Sequence, residues 1–316
     1  HITDTLANAI KSGKISHAYL LTGPRGVGKT SVARILAHEV NGIAYGDEQI
    51  HLDIIELDAA SNRRIDEIRN LRDKVHILPT SAKYKVYIID EVHMLTREAF
   101  NALLKTLEEP PEHVIFILAT TEAHKLPETI VSRTQHYSFK PIDTPTLVQH
   151  LKDITASETL NIDDAALELV AEHGDGSFRD SISLLDQARS MSDHITEADV
   201  QRLLGVAPAA ALDELINIIV GGTAKDLFNA LQQLRDRGLQ SSMIAKQLSQ
   251  RLRLMMLDDR TLQNTQTTHL LVALLSVQAS AQSDRLLEIT LLEYIFANNP
   301  TELTKEAPRV APTPAK

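Results

Sequence analysis

The sequence predicts a three-layer α/β domain with a parallel sheet, followed by a helical remainder. Three observations predict it. Short apolar runs alternate with helical patterns over the first part of the chain, up to Lys140. A glycine-rich loop, Gly23-Pro24-Arg25-Gly26-Val27-Gly28-Lys29-Thr30, stands between the first apolar run and the helical pattern after it. Past Pro141 the strand signal stops and only helical spacing continues.

The loop fits the phosphate-binding pattern G-x-x-x-x-G-K-[ST] without a mismatch. Ala18–Thr22 before it reads as a buried strand, and Ser31–Ala37 after it has apolar residues at helical spacing. Gly23, Gly26 and Gly28 let the backbone turn its N–H groups toward phosphate oxygens. The helix N-terminus adds partial positive charge. Lys29 can reach the β- and γ-phosphates of ATP, and the Thr30 hydroxyl can ligate magnesium. The expected nucleotide contacts are therefore Gly23, Pro24, Arg25, Gly26, Val27, Gly28, Lys29, Thr30 and Ser31.

Downstream, Ile54–Leu57 reads as a second strand and Asp58–Asn62 as a turn. Arg63–Val75 has helical spacing, and Tyr84–Ile89 is a third strand that runs straight into Asp90-Glu91. An acidic pair at a buried strand end, after a phosphate loop, is a Walker B arrangement. Asp90 would hold magnesium, and Glu91 would orient or deprotonate the attacking water. Thr96–Leu107 is a helix stopped by Glu108-Glu109-Pro110-Pro111. Val114–Ala119 is a fourth strand that brings Thr120 and Thr121 to the edge where α/β sheets bind ligands. Thr121 is placed to sense the γ-phosphate, although a threonine there also suits a plain turn. His136–Phe139 is the candidate fifth strand.

Helices then read as Thr146–Glu158, Ala165–His173, Phe178–Met191 and Glu197–Leu204, with Thr144, Asp163, Ser177 and Thr196 as expected caps. Beyond Gly205–Pro208 come Ala211–Val220, Lys225–Arg237, Ser242–Leu257, Thr267–Ala281 and Asp284–Ala297, aliphatic and without a catalytic constellation. The organisation expected is 1–141 for the phosphate-loop domain, 142–205 and 206–299 for two helical domains, and 300–316 for a Pro/Ala-rich linker. The amphipathic opening, His1–Ile10, reads as the interior of a helix, so a preceding segment is expected.

The chain has 316 residues, 43% of them hydrophobic, enough to bury real cores. It has no cysteine, which excludes disulfides and thiolate metal sites. A net charge of −10 argues against a general nucleic-acid coat but leaves room for a local basic patch. Such a patch lies in segment 58–85, which holds Arg63, Arg64 and Arg69. It reads either as a phosphate-contacting surface or as a solvated helix face with local ion pairs. No secretory leader or long apolar run argues for a membrane.

Four stretches, Gly23–Ser31, Asp58–Asn62, Val86–Leu95 and Ala99–Arg133, resemble the gamma/tau subunits of the bacterial DNA polymerase III clamp loader. The most specific are Tyr87-Ile88-Ile89-Asp90-Glu91-Val92-His93-Met94-Leu95, Phe100–Pro111 and Ala119–Glu122, and Gly176–Ala188 matches too. The likeness is strong to about residue 205 and weak beyond. It implies an AAA+ ATPase with a helical lid and a collar bundle. It also implies a ring of five subunits that loads the sliding clamp onto primed DNA in the bacterial cytoplasm, at the nucleoid-associated replisome. A link to the polymerase core through a C-terminal extension is part of the same expectation. By the match, Thr121 is sensor 1, Arg133 is an arginine finger acting in trans, and Arg179 is sensor 2. Read as isolated residues, Arg133 and Arg179 are ordinary surface or ion-paired arginines. The resemblance also brings Arg63, Arg64 and Arg69 near DNA.

There are departures. The family's four-cysteine zinc module is replaced by Asn41–His51, so no structural zinc is expected. Thr134 follows the arginine finger where the family has cysteine. The family's adenine contacts precede His1, so base contacts are unassigned and nucleotide affinity is expected to be lowered. Two other functions stay in view. One is a non-hydrolysing structural subunit of the same ring, against which the intact Lys29, Thr30, Asp90 and Glu91 argue. The other is an AAA+ remodeller of junctions or stalled forks, against which the Asn101–Pro111 match argues.

Overall fold

The computed structural model describes residues 2–45, 51–61, 74–258 and 264–298. The chain divides into two compact units, His1–Leu160 with Val170–Asp186, and Asn161–Leu169 with Gln187–Lys316.

The first unit is built on a five-stranded sheet. Its strands are β1 (Ala18–Thr22), β2 (Ile54–Asp58), β3 (Lys85–Asp90), β4 (Val114–Thr120) and β5 (Gln135–Ser138). The order is β2-β3-β4-β1-β5 and every pairing is parallel. Strands β1 and β4 are buried along their whole length, which is why they read as continuous apolar runs rather than alternation.

Successive side chains leave the sheet on opposite faces, and each face has its own core. On one side Leu20, Tyr87, Ile89, Phe116 and Leu118 pack with Leu103 and Leu107 of helix α3 (Arg97–Glu108). On the other side Tyr19, Leu21, Ile88, Ile115 and Ile117 pack with helices α1 (Ile2–Lys11) and α2 (Lys29–Val40). Tyr87 stacks on Phe116 with centroids 5.5 Å apart, and burial pushes its phenol up to about 12.

The register sets the site. Asp58 is paired with Asp90, Ile89 with Leu118, and Thr22 with Thr120. Four carboxyl ends therefore finish along one edge, where a parallel sheet presents its ligand site.

A short helix, α4 (Glu128–Val131), leads to β5. Helix α5 (Thr144–Ser157) is capped by Asp143 rather than by Thr144. The Asp143 carboxylate accepts the Thr146 N–H at 2.8 Å, and Thr144 is already helical. With two cap-forming side chains side by side, the one set three residues before a free N–H takes the role. Helices α6 (Asp164–His173) and α7 (Phe178–Arg189) follow. Ser177 caps α7 as expected, accepting the Asp180 N–H at 3.2 Å.

Strand pairing does not end at Pro141. Asn161–Ile162 (β6) and His194–Ile195 (β7) form a two-residue parallel ladder within the second unit. Two residues are too few to leave a period in the sequence. Helix α8 (Glu197–Leu204) opens with a full capping box between Thr196 and Asp199.

The rest of the second unit is a helical bundle. It comprises α9 (Ala209–Gly221), α10 (Ala224–Asp236), α11 (Ser241–Asp258), α12 (Thr265–Ala279) and α13 (Ser283–Asn298). Leu215, Ile219, Leu231, Leu248, Leu274 and Leu291 fill its core. No single described helix is long and apolar enough to cross a membrane, and the apolar face of α9 is spent in this core.

The helix expected over 63–75, with Arg63, Arg64 and Arg69, falls largely on residues 62–73, outside the described residues.

Candidate active site

The chain leaves β1 at Thr22 and enters the loop between two neighbouring strands. Gly23 donates its N–H to Thr120 O at 3.3 Å, and Phe139 donates to Thr22 O at 2.7 Å. At the far end Gly28 caps α2 with φ 92, a left-handed conformation open to glycine, and no side chain caps the helix. The first N–H groups of α2 are thereby left for an anion.

Lys29 turns back over the loop. Its ammonium donates to Gly23 O at 2.9 Å and to Pro24 O at 2.7 Å, and the residue is 6% exposed. Among the described residues no carboxylate lies within ion-pairing distance of it. Burial pushes the ammonium below the usual lysine range, against the upward pull of Glu91 and Asp90. A buried cation held only by carbonyls is a site prepared for a phosphate.

Asp90 divides its carboxylate. Oδ2 accepts the Thr30 hydroxyl at 2.6 Å, and Oδ1 accepts the Glu91 N–H at 2.8 Å. Thr30 and Asp90 bring hard oxygens to one point beside the phosphate cradle, the donor chemistry that magnesium takes. The residues fit the ion and the nucleotide together.

Glu91 adopts left-handed backbone, φ 47 and ψ 45, which costs a residue with a Cβ about 1–2 kcal/mol. Strain of this kind persists where the surroundings over-determine the position. Here Thr121 supplies the restraint, donating its N–H at 3.1 Å and its hydroxyl at 3.0 Å to Glu91 Oε2. The threonine expected to sense phosphate holds the expected base.

These groups line one cleft of about 580 Å³, bounded by loop residues Arg25, Gly26, Val27, Gly28, Lys29, Thr30 and Ser31, by Asp90 and Glu91, and by Arg179. Arg179 arrives from the first turn of α7, and its N–H points at Gly26 O, 3.5 Å away. Gly26 permits that approach. A Cβ there would stand 1.9 Å from Ser177 Oγ and 3.2 Å from Arg179 Cβ.

Arg133 is not in the cleft. Its guanidinium donates to Glu108 Oε1 and to Thr129 O, each at 3.0 Å. Arg63, Arg64 and Arg69 lie outside the described residues.

Several cleft residues carry no signal in the sequence. Phe139, Ile142, His150, Phe178 and Ile182 line it, and the His150 and Phe178 rings meet edge to face at 4.7 Å. They sit in segments that read as strand end, linker and lid helix. His93 is a second omission, since the Asp-Glu-Val-His run marks its position but not its partners.

Residues 1–143 match the family model described as "DNA polymerase III, delta subunit", and residues 146–194 match "DNA polymerase III clamp loader subunit, ATPase lid domain". The gamma subunit of DNA polymerase III from Buchnera aphidicola is 37% identical over 255 residues, covering 76% of this chain and 71% of that protein. The chain belongs to the gamma/tau family of DNA polymerase III subunits. The tau subunit of Bacillus subtilis is 46% identical over 256 residues, covering 75% of this chain and 45% of that protein. The gamma/tau subunit of Mycobacterium tuberculosis is 41% identical over 271 residues, covering 80% of this chain and 47% of that protein. The chain thus spans about half the length of these two relatives. Among solved structures, the RuvB Holliday junction branch migration motor of Thermotoga maritima superposes with a TM-score of 0.53 at 22% identity, covering 76% of this chain and 81% of that one. At that identity the likeness is one of fold alone.

Proposed function

We propose that this chain is the ATP-hydrolysing motor of a bacterial DNA polymerase III clamp loader. The observation that carries the reading is the convergence of Lys29, Thr30, Asp90 and Glu91 on one cleft, with Glu91 fixed by Thr121.

In this reading the loop N–H groups and Lys29 bind the β- and γ-phosphates of ATP. Magnesium, held by Thr30 and Asp90 when bound, neutralises phosphate charge. Glu91 positions the attacking water and takes its proton. Arg179 reaches the nucleotide from the lid. Arg133, which does not line its own cleft, completes the site of a neighbouring subunit. A non-hydrolysing structural subunit would need neither the Thr30–Asp90 pair nor a restrained Glu91.

The partners proposed are the other clamp-loader subunits in a five-membered ring, the sliding clamp, and primed DNA contacted by Arg63, Arg64 and Arg69. The polymerase core is a further partner, reached through sequence beyond this chain. The setting is the cytoplasm, at the replisome. We also propose the division into an ATPase domain (1–141), a lid (142–205), a collar (206–299) and a linker (300–316). The family matches to 1–143 and 146–194 support the first boundary.

The test is ATP turnover by the ring assembled with its partner subunits. Turnover should rise when clamp and primed DNA are added together. A rate unaffected by either addition would favour a different AAA+ role.

A further inference from the structure

The turn after the acidic pair holds a group that the ATPase chemistry above does not use. His93 lies in the 3-10 turn Val92–Met94, directly after Glu91, and its side chain is 8% exposed. Its Nδ1 is 2.9 Å from Thr120 Oγ1 and 3.3 Å from Glu91 Oε2. Its Nε2 is 3.2 Å from Glu122 Oε2.

We propose that His93 is a positioning residue for ATP hydrolysis, holding Glu91 in its working orientation by bridging it to Glu122. The inference rests on the ATPase reading above.

A histidine that only filled the core would be satisfied by Thr120. This ring also has a carboxylate within 3.3 Å of each nitrogen, Glu91 just past β3 beside Nδ1 and Glu122 just past β4 beside Nε2. The Glu122 anchor is itself fixed. Its N–H donates to Thr120 Oγ1 at 3.0 Å, and its carboxylate takes the Lys125 ammonium. That ammonium holds the Glu122 carboxyl below its usual range, so it stays ionised as a partner.

The result is one-sided restraint. Glu91 Oε2 is surrounded by the Thr121 N–H, the Thr121 hydroxyl and the His93 ring. Glu91 Oε1 has no hydrogen-bond partner among the described residues and is left for a water. A planar ring with two fixed nitrogens sets the distance between the strand ends, which a flexible side chain does not. A misplacement of about 1 Å at a reacting group can cost about 100-fold in rate.

The experiment uses rings assembled with partner subunits, clamp and primed DNA. It measures turnover and the affinity for a non-hydrolysable ATP analogue. His93→Ala should lower kcat by about tenfold or more, leaving KM and analogue affinity within about twofold. His93→Asn keeps a donor on the Glu91 side but does not span to Glu122, and should recover part of the loss. Glu122→Ala removes the anchor from the other end and should also lower kcat at unchanged affinity. It decides the matter alone if His93→Ala fails to fold. Parental turnover in both variants would overturn the inference. So would equal losses of turnover and affinity, which would mark His93 as a structural residue. A parent ring that does not hydrolyse ATP defeats the ATPase reading itself, and this inference with it.

Discussion

Thr121 gives both its backbone N–H and its hydroxyl to a single carboxylate oxygen of Glu91, at 3.1 and 3.0 Å. Thr121 and Glu91 directly follow the neighbouring strands β4 and β3, so the sheet itself sets the orientation of Glu91. Thr121→Val keeps the N–H bond and removes the hydroxyl. The expected result is a loss of roughly tenfold in kcat, the value of one hydrogen bond to a charged group at its lower end, with ATP affinity retained. Steady-state turnover beside a binding isotherm separates the two quantities.

Asp53 gives the fold an acid-sensitive joint. The residue is 2% exposed and accepts N–H bonds from Thr80 at 2.8 Å, Ser81 at 2.8 Å and Ala82 at 3.0 Å. Burial pushes its carboxyl up, and the bonds from Ser81, Ala82 and Thr80 outweigh burial and hold it below the usual range. A depressed carboxyl contributes stability that is full above its unfolded value of about 3.9 and is lost as pH falls through the folded one. Asp53→Asn should destabilise the protein by about 1–3 kcal/mol at pH 7. It should also flatten the acid limb of the stability curve. Thermal denaturation from pH 7 down to pH 3 checks both effects.

Gly26 and Ser177 form a steric pair. Gly26→Ala meets Ser177 Oγ and must also hold φ at +75. The expected cost is about 1–3 kcal/mol, with weakened ATP binding. Adding Ser177→Gly removes the clash but not the backbone strain, and glycine is a tolerable cap. The double variant should therefore recover part of the loss. Denaturant midpoints of the four proteins in the cycle give the coupling.

Arg133 pairs with Glu108 on its own subunit and stays out of its own cleft. If it acts on a neighbour, Arg133→Ala should leave ATP binding by the isolated chain intact. Stimulated hydrolysis in the ring should fall by about 10³-fold or more. Rings mixed from Arg133→Ala and Lys29→Ala chains should regain part of the activity, because some interfaces then pair an intact loop with an intact finger. Mixed rings that form and stay inactive would argue against action in trans.

The sheet and the phosphate loop were legible because each rests on local sequence. Continuous burial on both faces writes runs such as Val114–Ala119, and a glycine loop before Lys29 has few other uses. What the sequence left hidden depends on contacts between distant residues. Ser177 against Gly26, Asp53 beneath Thr80–Ala82, and His93 between two glutamates leave no period to detect. The Asp143 cap was hidden for another reason, since two adjacent side chains could both cap and only backbone geometry chooses. The β6–β7 ladder was simply too short to read.

In the proposed mechanism Glu91 is the group that activates water in an otherwise complete ATP site. Glu91→Gln preserves the shape of the side chain and removes its charge. Turnover by the assembled ring with clamp and primed DNA, measured beside ATP affinity, is the direct test. Affinity should stay close to the parent while hydrolysis falls by about 10²–10⁴-fold. Parental turnover by the variant in a ring that has bound ATP would contradict it.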